Sequence, residues 1–191
     1  MLIFHLRRYL YYKALNTFVV GFVGGSIFTI YATLSPSVFS LGGLILAIGL
    51  WSVATLYKRL MTIDRFYHIS LGIEVLFFVM VLYFLVYPKN ALTPLLIYGI
   101  YQVIFMFGSY LVRAESYLIG KIEAIKLIDR VKQQGYILGL ISSYGFYELS
   151  RYLGITSAQQ QVYDLHGILL FVQFFVMVSL YMSFVKQEPF V

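Results

Sequence analysis

Apolar runs of about 20 residues, separated by short polar stretches, repeat along almost the whole chain. At a rise of about 1.5 Å per residue, each run as a helix is long enough to cross a hydrocarbon layer of about 30 Å. We see no alternating apolar and polar pattern of the kind that builds a membrane barrel, so helices are the remaining way to satisfy the backbone in lipid. The pattern predicts spans at residues 14–34, 38–57, 67–87, 91–112, 135–154 and 164–185.

Composition supports this prediction. The 191 residues are 61% hydrophobic and 12% charged, with a mean hydropathy of +0.84, which is far from the balance of a soluble domain. We therefore predict an all-α, polytopic integral membrane protein that consists of one six-helix transmembrane domain. The absence of cysteine excludes disulfides and thiol catalysis.

The distribution of positive charge predicts how the helices are oriented. Twelve of the 14 Lys and Arg residues fall on one side of the six predicted spans, and only Lys89 and Arg151 fall on the other. Because positive residues are retained in the cytoplasm, both termini are predicted to be cytoplasmic, and we expect a bacterial cytoplasmic membrane. The net charge of +6 then reflects topology and attraction to anionic lipid rather than nucleic-acid binding.

The segment 113–134 between the fourth and fifth spans has helical spacing of apolar residues, with charged residues on its other faces. It would lie on the inner leaflet or prolong the fourth span into the cytoplasm. Its role would be that of a charged connector or of a surface for regulation or partner binding.

Small residues and tyrosines recur at characteristic places. Gly21 and Gly25 in the first span, and Gly135 and Gly139 in the fifth, have the spacing that allows close helix approach, inside one bundle or between subunits. Tyrosines at the ends of the spans are typical of an aromatic belt at the membrane interface. The members of this predicted belt are Tyr9, Tyr11, Tyr12, Tyr57, Tyr67, Tyr87 and Tyr117.

Polar side chains within the spans are candidates for lining a cavity, and the alternative is that they form hydrogen bonds between helices. They concentrate in the first, fourth and fifth spans. The cavity candidates are Asn16, Thr17, Ser26, Tyr98, Tyr101, Gln102, Ser142 and Ser143.

Glu74 is the carboxylate that lies well inside a span, about two helical turns from the predicted cytoplasmic end of the third. An unpaired anion there is costly, so Glu74 should be protonated or hydrogen-bonded. It is our candidate for proton coupling, and the alternative is a structural carboxyl satisfied by a neighbouring helix. We predict no catalytic residues, no metal site and no cofactor, because the sequence has no phosphate loop, catalytic triad or cluster of metal ligands.

The connection between the second and third spans contains Asp64-Arg65-Phe66, and the end of the fourth span contains Gly108-Ser109 followed by Arg113-Ala114-Glu115. These motifs resemble the signature loop of the major facilitator superfamily and the end of its fourth helix. Leu60 and Tyr67-His68 depart from the superfamily pattern, and the chain has half of the superfamily's twelve spans.

The resemblance implies a unit that pairs with a second copy, since the two halves of that fold are related by an axis along the membrane normal. Helices one and four would face a central cavity, and helices two and five would meet the partner. The resemblance also implies a cytoplasmic gate of ion pairs, for which the candidates are Asp64, Arg65, Arg113 and Glu115.

Two functional hypotheses follow. In the first, the chain is a half-size secondary transporter that works as a homodimer and moves a small solute by alternating access. In the second, it is a non-transporting subunit, a scaffold or ligand-binding component of a larger membrane complex. Both have the lipid bilayer as surroundings and a second membrane subunit as partner.

Overall fold

Helices form nearly the whole chain between two short terminal strands. The structure, a computed structural model, describes residues 2–186. The elements in chain order are β1 (Leu2–Phe4), α1 (Leu6–Val23), α2 (Ser26–Tyr31), α3 (Pro36–Thr55), α4 (Tyr57–Leu60), α5 (Ile63–Val86), α6 (Thr93–Ile119), α7 (Ile122–Tyr152), α8 (Ala158–Ser183) and β2 (Phe184–Lys186).

Four helices of the described residues, α3, α5, α6 and α8, are long and apolar enough to cross a membrane. The two remaining predicted spans correspond to α1 with α2 and to α7. These helices contain more charged residues than the other four. α1 contains three basic residues, and α7 has charged residues along its first half and at its end. The all-helical membrane architecture is thus supported, whereas the number of six spans stays a prediction.

The predicted boundaries fail in two places. The first predicted span, 14–34, begins earlier, at Leu6, and its helix is interrupted at Gly24 and Gly25, which have low helix propensity. The connector 113–134 is helical as predicted, but it is not a separate element. It is divided at Gly120, whose φ of 61° ends α6, so that its first part prolongs α6 and the rest prolongs α7.

The packing of the helices has an internal two-fold pattern. α1 packs against α7 and α8, α6 packs against α3 and α5, and α5 packs against α8. Exchanging α1, α3 and α5 with α6, α7 and α8 reproduces all of these pairs. Tyr9, near the start of α1, contacts Glu115, near the end of α6, so the two three-helix units have opposite orientation. Each of the five pairs joins a helix of one unit to a helix of the other, so the units interleave within one bundle.

The two ends of the chain meet at one end of the bundle. β1 pairs antiparallel with β2, with Ile3 opposite Val185. Phe4, Phe66 and Phe184 pack around the buried ring of Tyr9 at this end. The end of the predicted cytoplasmic tail, residues 187–191, lies outside the described residues.

Glycines fix the contact between α1 and α7. A methyl group on Gly21 would overlap the backbone of Tyr136, and one on Gly139 would overlap the carbonyl oxygen of Phe18. Gly135 lies equally close to the backbone of α1. The prediction that glycines pack helices within one bundle is confirmed for Gly21, Gly135 and Gly139, whereas a methyl group on Gly25 would be in ordinary contact with the Tyr147 ring, at 3.6 Å.

Candidate functional site: a buried charged network

One face of α1 carries four polar side chains into the interior of the bundle. Tyr9, Tyr12, Lys13 and Asn16 follow the helical spacing i, i+3, i+4 and i+7, so they lie on the same face. Tyr9, Tyr12 and Lys13 are buried, with exposed fractions of 0%, 3% and 8%. The interpretation of Tyr9 and Tyr12 as members of an interfacial belt is therefore wrong, whereas Tyr11, between them, is exposed.

Glu115 on α6 lies at the centre of a buried ion-pair cluster. The ammonium of Lys13 is 2.7 Å from Glu115 Oε2, and the ammonium of Lys132 on α7 is 3.2 Å from Glu115 Oε1. The Tyr9 hydroxyl donates to Glu115 Oε2 at 2.5 Å. Lys132 also contacts Asp129 at 3.3 Å, which balances the second positive charge. The cluster joins α1, α6 and α7.

Lys132 lies on α7 just before residue 135, where the fifth predicted span begins. Its neighbours in the cluster shift the pKa of its ammonium group. Partial burial acts to lower the pKa of its ammonium, but the negative charge of Glu115 and the contact with Asp129 outweigh this effect. The net result is a raised pKa, so Lys132 is held in its charged form.

Glu74 on α5 is buried to the same degree as Glu115 but has a different set of neighbours. Its Oε1 accepts from the Tyr12 hydroxyl at 2.7 Å and from Asn16 Nδ2 at 2.8 Å. Its Oε2 accepts from Gln173 Nε2 on α8, also at 2.8 Å. Glu74 forms no ion pair with any described residue. Neutral donors from two helices thus satisfy this carboxyl group.

The structure does not bring the four gate candidates together. Glu115 pairs with Lys13 and Lys132, while Asp64 lies in the first turn of α5. Arg65 donates through Nη1 to the carbonyl oxygen of Arg59. The guanidinium of Arg113 lies 5.9 Å from the centre of the Tyr57 ring.

The cavity candidates do not line one common cavity either. Asn16 belongs to the Glu74 site, whereas the hydroxyls of Thr17 and Ser26 donate to carbonyl oxygens of their own helical region, those of Lys13 and Val23. Such bonds are ordinary for hydroxyl side chains in helices.

The candidates on α6 and α7 are also dispersed. Tyr98 and Gln102 line an apolar groove of about 210 Å³ between α3 and α6, and the Tyr98 hydroxyl donates to the Phe39 carbonyl oxygen at 3.1 Å. Tyr101 is buried against the ring of Phe77. On α7, Ser142 is exposed and Ser143 is buried.

A larger cleft, of about 940 Å³, opens at the opposite end of the bundle from the termini. It is formed by the end of α2, the connection from α5 to α6, and the start of α8. Hydroxyl and amide side chains and one ammonium group line it together with apolar residues such as Phe84 and Val162. Its polar and charged residues include Thr29, Thr33, Lys89, Asn90, Thr93, Ser157, Gln159 and Gln160.

Sequence reasoning missed several residues of the network: Tyr9, Tyr12, Lys13, Lys132 and Gln173. A signal for the first three was present, because the polar residues 9, 12, 13 and 16 form one stripe on a helix. The sequence carries no comparable signal for Lys132 and Gln173, since their role depends on which helices pack together. The described residues contain no group of three or more potential metal ligands.

The fold and this network are consistent with an α-helical integral membrane protein that has charged groups buried near one end of its bundle. Comparison with protein-family models gives no match, and neither a curated protein nor a solved structure matches the chain significantly.

Proposed function

We propose that the protein is a half-size secondary transporter that works as a homodimer and moves a small solute by alternating access. The observation that carries the proposal is the inverted pairing of its two three-helix units. Inverted three-helix repeats nested within a six-helix bundle are typical of one half of a major facilitator transporter, in which two six-helix bundles move against each other around a central site. The six-span, N-in and C-in topology is part of this proposal.

The buried carboxyl of Glu74 supports coupling to protons. It lies inside α5 and contacts α1 and α8, so its charge state affects the contact between the two repeats. Glu74 has no cationic partner among the described residues, whereas Glu115 is paired with Lys13 and Lys132, so Glu74 is the carboxyl whose charge can change. Glu74 is accordingly the coupling residue in the proposed mechanism, and Glu115 is a fixed anion.

The cleft at the far end supports entry of a small polar solute. Its hydroxyl and amide groups can replace hydrogen bonds that a solute loses when it leaves water. Val162, in the wall of the cleft, and Gln173, at Glu74, lie on the same buried side of α8. Eleven residues separate them, so about 16 Å of helix connects the cleft with the carboxyl.

Reconstitution into liposomes tests the proposal. The purified chain is expected to catalyse uptake of a member of a panel of small neutral and anionic solutes, with a rate that depends on an imposed proton gradient. Glu74→Gln should retain uptake down a solute gradient but lose the proton dependence. Unchanged proton dependence in this variant would remove Glu74 from the mechanism, and absence of uptake of every solute would contradict the transporter proposal.

The second candidate is a non-transporting subunit of a larger membrane complex, and the isolated position of α3 favours it. Apart from the short helix α4, α3 packs mainly against α6, and Leu41, Ile45, Ile48 and Trp51 are more than half exposed. A different membrane subunit would cover this face. Mild detergent extraction from native membranes distinguishes the two candidates, because a homodimer supports the transporter and a stoichiometric, unrelated large subunit supports the accessory role.

A further inference from the structure

We propose that Gln173 is a two-state partner of Glu74 and makes their contact a proton-operated switch between α5 and α8. When Glu74 is ionised, the Gln173 amide donates to the carboxylate. When Glu74 is protonated, the amide turns over and its oxygen accepts from the new carboxyl hydroxyl.

In the structure both carboxyl oxygens of Glu74 accept hydrogen bonds, which is the arrangement expected for the ionised group. Gln173 has an exposed fraction of 0%, and its Nε2 donates to Glu74 Oε2 at 2.8 Å and to the Glu74 carbonyl oxygen at 3.2 Å. Its other polar atom, Oε1, is buried and has no hydrogen-bond partner among the described residues. A buried acceptor without a partner is costly, and a carboxyl hydroxyl on Glu74 would satisfy it once the amide turns over. The amide nitrogen then takes the position without a partner, so the second arrangement forms only when the proton is present.

Protonation of Glu74 supplies the donor that Gln173 Oε1 lacks. Tyr12 and Asn16 both donate to Oε1 of Glu74, so we place the new proton on Oε2. Among the described residues, Gln173 is the one that donates to Oε2. With the proton on Oε2, a rotation of the amide by about 180° converts the contact from N–H···O⁻ to O–H···O=C, using both ends of the same side chain.

The other charged and titratable groups that the structure describes around Glu74 are engaged in contacts of their own and do not contact its Oε2. α1 presents Tyr9, Tyr12 and Lys13, and α6 presents Glu115. Lys13 forms its ion pair with Glu115, and so does Lys132 of α7. On α8, His166 lies about two turns from Gln173 and bonds to the Val162 carbonyl oxygen.

The switch changes how firmly the two repeats are joined. In the ionised state Gln173 makes two hydrogen bonds to α5, one to the carboxylate and one to the backbone. In the protonated state the amide oxygen makes one, the backbone bond is lost, and the amide oxygen faces the Glu74 carbonyl oxygen, which repels it. Protonation therefore loosens the α5–α8 contact. Its use in coupling rests on the proposed transport function, whereas the switch itself does not.

Isotope-edited infrared difference spectroscopy tests the switch without any transport assay. The protein, labelled with ¹³C at the glutamine side-chain carbonyl, is titrated in liposomes. We expect the band of a protonated carboxyl and a shifted glutamine carbonyl band to appear together as the pH falls. Both changes should be lost in Glu74→Gln. This comparison holds even when a variant at position 173 does not fold.

Gln173→Met removes the amide donor and acceptor but keeps a side chain of similar volume. It should abolish the shifted glutamine carbonyl band while the Glu74 carboxyl still titrates. Loss of the donor should tighten proton binding by roughly tenfold, because the charge-assisted bond to the anion is lost. Gln102→Met is the matched control, since Gln102 Oε1 is also buried without a partner but does not contact Glu74. Three results would each overturn the switch. The Glu74 carboxyl could titrate without a shift of the glutamine carbonyl band, the shifted band could persist in Gln173→Met, or Glu74 could fail to titrate at all.

Discussion

Glu74 and Glu115 are two buried carboxyl groups whose neighbours give them different chemistry. Two ammonium groups hold Glu115 as an anion, whereas hydroxyl and amide donors surround Glu74. Both residues were singled out from the sequence, Glu74 because it interrupts an apolar run and Glu115 through a motif. Their partners were not predicted, because residues 17 to 106 positions apart along the chain meet only through helix packing.

Removing one cation from the Glu115 cluster is expected to destabilise the protein strongly. Lys13→Met should lower the free energy of unfolding by about 1.5–3 kcal/mol, because it removes a buried contact to the Glu115 carboxylate while Lys132 still compensates that charge. Denaturant titration in detergent measures the effect. Lys89→Met, at an exposed position outside the network, is the matched control and should change stability by less than about 0.5 kcal/mol. Equal stability of the two variants would contradict the cluster.

The raised pKa of Lys132 predicts a dependence on alkaline pH. A group whose pKa is higher in the folded state contributes stability that is fully present below its unfolded pKa and is lost as the pH rises through the folded value. The stability difference between wild type and Lys132→Gln should therefore be constant near neutral pH and shrink in strongly alkaline solution. A difference that grows with pH would show that the ammonium does not stabilise the folded state through Glu115.

At the scale of elements, the apolar runs predicted where helices lie, and the glycine pairs predicted a close contact. The runs could not show where α6 ends. Helical spacing of apolar residues continues on both sides of Gly120, so only its left-handed backbone marks the boundary. The identity of the helix pairs was equally hidden, since glycine spacing indicates a close approach without naming the partner.

Gly139→Ala is expected to force α1 and α7 apart. The added methyl group would overlap the Phe18 carbonyl oxygen, which belongs to a helix backbone and has little room to move. Overpacking of this kind costs about 1–3 kcal/mol in the free energy of unfolding. Gly145→Ala on the same helix is the control, because nothing lies within 4 Å of the added carbon there. If both variants unfold at the same denaturant concentration, the close α1–α7 contact is not formed.

At the scale of the whole molecule, the six predicted helices form two three-helix units in opposite orientation. The sequence did not reveal this repeat, because the two units share packing rather than recognisable motifs. The arrangement connects the buried network to the proposed function, since Glu74 and Gln173 lie where one unit meets the other. A change in the α5–α8 contact would therefore act directly on the carboxyl.

In the proposed six-span topology, α1 and α7 cross the membrane together with the four more apolar helices. Because the chain has no cysteine, single cysteines can be introduced at exposed positions and labelled in sealed, oriented membranes with an impermeant thiol reagent. The informative positions are His5, Ser37, Lys58, Asn90, Lys126 and Gln159. We expect labelling of 5, 58 and 126 from one side and of 37, 90 and 159 from the other. Labelling of 5 with 37, or of 126 with 159, from the same side would contradict the six-span unit.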